Sequence, residues 1–219
     1  MSQPASSANQ PLPAPEFRNL GRCEFEPVWA EMKDWALNRQ GPEADRIWQV
    51  EHPPIFTLGR AGRPEHVLAA ADIPVLHIDR GGQVTYHGPG QLVVYPQVDL
   101  RRLKIGIRKL VEALENAVID TLAGYGITAA ARRDAPGVYV DGRKIAALGL
   151  RVRNGCTYHG LAFNVNMDLE PFQRINPCGY AGLEVTQVVS LGGPDDPDQV
   201  MNDLWPHLLR HLGYPEQDS

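Results

Sequence analysis

Four short stretches hold the residues that could do chemistry. In RINPCGY (174–180), Cys178 lies between Pro177 and Gly179, the flanks of a rigid turn rather than of a core strand. Most free cysteines are buried hydrophobes, and that is the simpler reading for Cys23 and Cys156. A turn thiol is instead a candidate nucleophile. At a pKa of ~8.5 a thiol is only a few per cent ionised at neutral pH, so a reactive one needs a cation or a base beside it. The candidates are Lys144, Arg80, His87 and His159. Lys144 opens the apolar run Ile145, Ala146, Ala147, Leu148, Gly149, Leu150, a start that could turn its side chain inward. The plain alternative is a solvated surface charge. His159 precedes Gly160, Leu161 and Ala162, where hydrogen-bonded scaffolding at a strand start is the simpler role.

The fourth stretch is dense in glycine and polar groups: Arg80, Gly81, Gly82, Gln83, Val84, Thr85, Tyr86, His87, Gly88, Pro89, Gly90, Gln91. Glycines let a backbone approach a ligand closely, and Arg80 supplies a cation. A tight hairpin would use the same residues. No Gly-Lys-Ser/Thr follows, so this is not a P-loop, and no G-x-G-x-x-G opens a helix. Cys156 and His159, three residues apart, are a lone pair without the rest of a zinc-ligand set.

Elements that must position these residues follow from hydrophobic spacing. Trp29, Met32 and Ala36 predict a helix over 27–40, stopped by Gly41 and Pro42. Ile107, Leu110, Val111, Leu114, Val118 and Leu122 form one stripe of a helix over 106–123. Val200, Leu204, Leu208 and Leu212 line a last helix over 199–212. Strands are predicted at 47–51, 75–78, 84–86, 92–98, 137–140, 145–153 and 161–167, those between 144 and 168 pairing antiparallel. Helices at the beginning, middle and end of the chain and the short strands together predict an α+β (α/β type) fold, a mixed sheet with helices packed on one face. Residues 1–16 read as a disordered leader, 17–214 as one domain and 215–219 as a loose tail.

Composition bounds the function. The 219 residues carry a formal charge of −5, with 43% hydrophobic and 21% charged residues, values of an ordinary globular protein. The mildly acidic balance argues against a nucleic-acid coat. No long apolar run predicts a membrane span. Three cysteines and no secretory signal predict a reducing, cytoplasmic setting with free thiols.

RGGQVTYHGPGQLVVYP (80–96), GRKIAALGLRV (142–152), YHGLAFNVNMDL (158–169) and RINPCGY (174–180), in that order, resemble the octanoyltransferase family. That family is also called lipoyl(octanoyl) transferase or lipoate–protein ligase B. The resemblance spans residues 20–213. It implies the lipoate/biotin protein ligase fold, a larger mixed sheet and a smaller one flanked by helices. It implies transfer of an octanoyl group from acyl carrier protein to a lysine of lipoyl domains, those of 2-oxoacid dehydrogenase E2 subunits and of the glycine cleavage H protein. By motif, Cys178 matches the acyl-thioester nucleophile and Lys144 the lysine that lowers its pKa. Arg80, Gly81, Gly82, Gln83, Val84, Thr85, Tyr86 and His87 match substrate-binding positions, as do Ala147, Leu148, Gly149, Gly160, Leu161 and Ala162. Ala147 stands where some relatives carry serine. The resemblance implies no cofactor, neither ATP nor metal, and a monomer that binds neither nucleic acid nor membrane.

In such a reaction, Lys144, His87 or a water could deprotonate the acceptor lysine. Two basic clusters could steer acidic partners or form solvated faces: Arg101, Arg102, Lys104, Arg108 and Lys109, and Arg132, Arg133, Arg143, Lys144, Arg151 and Arg153. The rival functions are an ATP-dependent lipoate or biotin ligase, a non-catalytic acyl-binding protein, and a cysteine hydrolase built on Cys178 and His87.

Overall fold

The central strands are apolar on both faces, and helices pack against each. The computed structural model describes residues 12–39, 43–176 and 182–215. Along the chain these form β1 (Glu16–Arg22), α1 (Phe25–Asn38), β2 (Arg46–Glu51), β3 (Ile55–Leu58), β4 (Val75–His77), β5 (Val84–His87), β6 (Gln91–Gln97) and α2 (Leu100–Leu103). Then come α3 (Ile107–Gly124), β7 (Ala130–Ala131), β8 (Gly137–Val140), β9 (Arg143–Arg153), β10 (Cys156–Asn164) and α4 (Pro197–Leu212). A seven-stranded sheet has the order β1-β2-β6-β10-β9-β8-β7, and a three-stranded sheet the order β4-β3-β5. β1 lies parallel to β2 and β3 to β4; the remaining neighbours are antiparallel. The α+β class with a large mixed sheet and a small one is as expected.

In β2, Ile47 faces one core and Trp48 the other. Ile47, Leu92, Val94, Leu161 and Phe163 pack with Leu110, Leu114 and Leu122 of α3 and Val200, Leu204 and Leu208 of α4. Trp48, Val50, Val93, Tyr95 and Tyr158 pack with Val28, Met32 and Trp35 of α1. The helices therefore cover both faces, not one as predicted. A sheet whose central strands are apolar on both sides must be covered on both. Ile107, placed in the buried stripe of α3, is 41% exposed at the helix start. β1 and β3 were not anticipated. Within the stretch predicted to be a leader, Leu12 packs against the core, Pro15 is buried and Glu16 opens β1. Residues 1–11 and 216–219 lie outside the described residues.

The hairpin reading of 88–90 also fails. β5 pairs with β3 in the small sheet and β6 with β2 and β10 in the large one. The turn between them carries the chain from one sheet to the other. Gly90, at φ 82°, is pinned there: a Cβ would sit 1.8 Å from the Asn166 carbonyl oxygen, and its N–H donates to Glu51 at 2.7 Å.

Polar groups hold this seam. Gln91 donates to Asn164 Oδ1 (3.0 Å) and to the Tyr86 carbonyl (3.2 Å), so its Oε1 accepts from His87 Nδ1 at 2.8 Å. His52 donates from Nδ1 to the Cys23 carbonyl (2.7 Å), and Tyr95 donates to its Nε2 (2.8 Å). Burial pushes His52 down to about 4, partly offset by its bond to Cys23. Burial, then the nearby His52, pushes His87 down to about 3. At the other end of β2, the Asp45 carboxylate is fully buried and meets Arg39 (2.8 Å), Arg102 (2.5 Å), the Tyr214 hydroxyl (2.5 Å) and the Asp99 N–H (2.9 Å). Arg102, placed in a steering cluster by sequence, is thus held by an internal anion.

Two outcomes follow from these buried groups. Both histidines bind protons in the unfolded chain below 6.5 but in the folded chain only near 4 and 3. Their contribution is intact above 6.5 and is lost as pH falls through this window, by up to about 1.4 kcal/mol per pH unit for each. Urea unfolding between pH 7 and pH 5 should show that slope, and His52→Asn should lessen it; an unchanged slope would refute the assignment. Asp45→Asn leaves two arginines without their anion and should cost roughly 3–5 kcal/mol of unfolding free energy.

Candidate active site

A bulge in β9 sets the geometry of the site. Val138 pairs with Ala146, but the next residue, Tyr139, pairs with Lys144, so Ile145 is the extra residue. Ile145 and Ala146 consequently both face the α3–α4 core. Lys144, Ala147 and Gly149 fall together on the other side, where they line a pocket of about 750 Å³ including its mouth.

The pocket lies at the seam between the two sheets. Its walls are Val84 and Thr85 of β5, Val93 and Tyr95 of β6, Ala147, Leu148 and Gly149 of β9, and Gly160, Leu161 and Ala162 of β10, with Phe25 from α1 and Phe172 and Val185 from loops. Arg80, Gly82, Gln83 and His87 also line it. Close approach explains two glycines. A Cβ on Gly149 would meet Arg80 Cδ at 3.0 Å and the Gly81 carbonyl at 3.1 Å. One on Gly160 would lie 2.2 Å from the Val94 carbonyl oxygen.

The structure thus brings Lys144 and most of the motif residues into one cavity. Gly81 and Tyr86 are not on its wall. Gly81 ties the loop to β9 through an N–H bond to the Leu150 carbonyl (2.9 Å). Tyr86 packs between Phe56 and Phe172, with both ring centroids at 5.5 Å. Cys178 lies outside the described residues. The chain on either side is described. Asn176 donates its N–H to the His66 carbonyl (2.8 Å), and residues 184–186 run along Lys144, which donates to the Glu184 carbonyl and accepts from Thr186, both at 2.9 Å.

Lys144 is 4% exposed. Its Nζ donates to the Pro136 carbonyl at 3.2 Å and sits 5.2 Å from the centre of the Tyr139 ring. Behind it, the buried Glu115 carboxylate accepts from the Gly137 N–H at 2.8 Å. Burial raises the Glu115 pKa, opposed by that bond and by Lys144. Arg80 is buried and clamped to β3: its Nη2 donates to the Thr57 carbonyl (2.6 Å) and hydroxyl (3.0 Å). His87, one of the candidate cations, stays neutral. Its Nδ1 is taken by Gln91, and its Nε2 lies 3.5 Å from the Thr57 hydroxyl.

Asp79 was missed in the sequence, although it directly precedes the glycine-rich stretch. Its carboxylate accepts from Trp29 Nε1 (3.0 Å), His159 Nε2 (3.1 Å) and the Tyr158 hydroxyl. Burial raises its pKa, but these hydrogen bonds outweigh it and hold the carboxyl well below the usual range. Burial lowers His159 in spite of Asp79, so the pair is a neutral imidazole donating to an anion. Among the described residues no group of three or more His, Cys, Asp or Glu side chains could hold a metal ion. No helix among them is long and apolar enough to cross a membrane.

The family model described as the lipoyl protein ligase A/B catalytic domain matches residues 28–211. The octanoyltransferase of Xanthomonas euvesicatoria pv. vesicatoria (strain 85-10) is 60% identical over 212 residues, covering 97% of this chain and 91% of its own. That of Shewanella sediminis (strain HAW-EB3) is 56% identical over 197 residues, 90% of each chain. Among solved structures, a bi-partite lipoate protein ligase from Thermoplasma acidophilum, studied with its E2 lipoyl domain, superposes with a TM-score of 0.72 at 17% identity, over 94% of this chain and 86% of that one. The biotin protein ligase from Aquifex aeolicus, in complex with biotin and ATP, gives 0.60 at 14%, over 90% and 70%. At those identities the solved structures speak for the fold alone. With the family model spanning its body and relatives of 60% identity along almost all of its length, the chain belongs to the lipoyl protein ligase A/B catalytic-domain family, as an acyltransferase among its octanoyltransferases.

Proposed function

We propose that the chain moves an octanoyl group from acyl carrier protein to a lipoyl-domain lysine in two steps, through a thioester on Cys178. The observation that carries this reading is the buried Lys144 on the wall of an otherwise largely apolar cavity. A cation held there favours a neighbouring thiolate by charge proximity. Cys178 is two residues from Asn176 and six from Glu184, and the Glu184 carbonyl accepts from the Lys144 N–H itself.

In the first step the thiolate attacks the donor thioester. One thiol replaces another, so the exchange is close to even in free energy and needs neither ATP nor metal. In the second, the acceptor amine attacks the Cys178 thioester. The amide is more stable than the thioester, and this pulls the sequence forward. Backbone N–H groups of Leu148 or Gly149 can hold the oxyanion, an interaction of ~3 kcal/mol when well aimed. About six methylenes at ~0.8 kcal/mol each give the chain roughly 5 kcal/mol of binding in the cavity. Lipoyl domains, including those of 2-oxoacid dehydrogenase E2 subunits and the glycine cleavage H protein, would be the acceptors. The reading places the enzyme in the cytoplasm, as a monomer.

Intact mass after incubation with octanoyl carrier protein, without ATP, should rise by one octanoyl group. Hydroxylamine should remove it, and Cys178→Ala should abolish it; an adduct that persists in that variant would falsify the assignment. Lys144→Ala should move the pH profile of Cys178 alkylation upward by about one unit or more. A profile that stays in place would remove Lys144 from this role.

A further inference from the structure

Three histidines surround Phe25 at the pocket, with ring centroids 4.9 Å (His52), 5.8 Å (His87) and 6.4 Å (His159) from it. They differ in what their nitrogens do. Both nitrogens of His52 are hydrogen-bonded, to the Cys23 carbonyl and the Tyr95 hydroxyl. His87 is held by Gln91 and faces the Thr57 hydroxyl. His159 gives Nε2–H to Asp79 at 3.1 Å, and its Nδ1 makes no hydrogen bond among the described residues. With the Nε2 tautomer fixed, Nδ1 carries a lone pair, on a side chain that lines the pocket.

The backbone points the same way. His159 has φ 58° in the middle of β10, a left-handed conformation at a non-glycine residue. Residues 158–160 form no ladder with β6: the pairing stops at Leu161↔Val94 and resumes where the Thr157 N–H meets the Val98 carbonyl at 2.9 Å. Between these points β6 has Pro96, which has no N–H to offer. Strain of this kind persists where the surroundings over-determine it, and it clusters at active sites. Here the surroundings are the Asp79 bond and the rings of Tyr158, at 5.0 Å, and Trp29, at 6.3 Å.

We infer that His159, oriented by Asp79, is the base that takes the proton from the acceptor amine in the second step. The inference rests on the two-step reading above. As the amine nitrogen bonds to the acyl carbon, one N–H proton passes to Nδ1. The C–S bond breaks and its electron pair leaves with sulfur. The imidazolium then returns its proton to the thiolate, so thioester plus amine gives amide plus thiol. Asp79 is a positioning residue: it fixes the tautomer and stabilises the transient imidazolium.

Single-turnover kinetics separate the steps, with octanoyl carrier protein as donor and an isolated lipoyl domain as acceptor. Asn tolerates positive φ, so His159→Asn is the first variant. Transfer from the acyl-enzyme should fall on the order of 100-fold relative to acylation. His159→Gly should lose transfer similarly and regain part of it when imidazole is added. Equal losses in both steps, or no response to imidazole, would overturn the role of His159. Failure of the unaltered protein to form an acyl-enzyme would instead overturn the reading of Cys178.

Discussion

One extra residue in β9 decides whether this fold has a site at all. Under strict alternation Lys144 would share a face with Ala146 and Leu148, and would enter the core formed with Leu110 and Leu114 of α3. A lysine buried among aliphatic side chains without a partner is costly. The bulge at Ile145 moves the phase by one position, so the aliphatic pair Ile145 and Ala146 fills that core while Lys144 reaches the Pro136 carbonyl and the Tyr139 ring. The same shift aligns Lys144 with Ala147 and Gly149, and Gly149 is where Arg80 and Gly81 pack. Cation, cavity wall and glycine-rich loop are therefore consequences of one register change. The segment at 184–186, bonded to the Lys144 backbone, holds that strand end in place.

The sequence made some of this readable and hid the rest for physical reasons. The helices were legible because α3 and α4 carry long amphipathic stripes, and Leu110, Leu114, Val200 and Leu204 are buried as their spacing predicts. Which face each helix covers was not legible, since Ile47 and Trp48 are both apolar and alternation alone does not name a helix for either face. The turn at Gly88, Pro89 and Gly90 carries the same residues whether it closes a hairpin or crosses between sheets. Only the partners of β5 and β6, distant in sequence, distinguish the two. Within the site, Arg80, His87, Lys144 and Gly160 stood out by glycine density and by an ionisable group beside an apolar run. Asp79 and Tyr158 did not, because one precedes a motif, the other opens one, and each gains its meaning from a residue about eighty positions away. The bulge was invisible because Ile145 and Ala146 continue an apolar run that reads equally well as regular strand.

The cavity's charge pattern ties these features together. His52 and His87 are neutral at physiological pH because burial removes the water that would solvate their charged forms. Burial likewise holds the Tyr95 hydroxyl protonated, well above the ordinary tyrosine range. His52, His87 and Tyr95 thus make their hydrogen bonds without carrying charge. Among the described residues, that leaves Lys144 and Arg80 as the cations on the lining, and Arg80 is bound tightly to Thr57. In such surroundings a charge is screened far less than at the surface, so the influence of Lys144 on a nearby sulfur is stronger than the same lysine would exert in water. An acyl chain entering the cavity would strengthen the effect by displacing water. On the proposed reading, the donor that must be attacked also helps to keep its attacker ionised. A single buried lysine can then serve where a surface cysteine would require a larger cluster of charges.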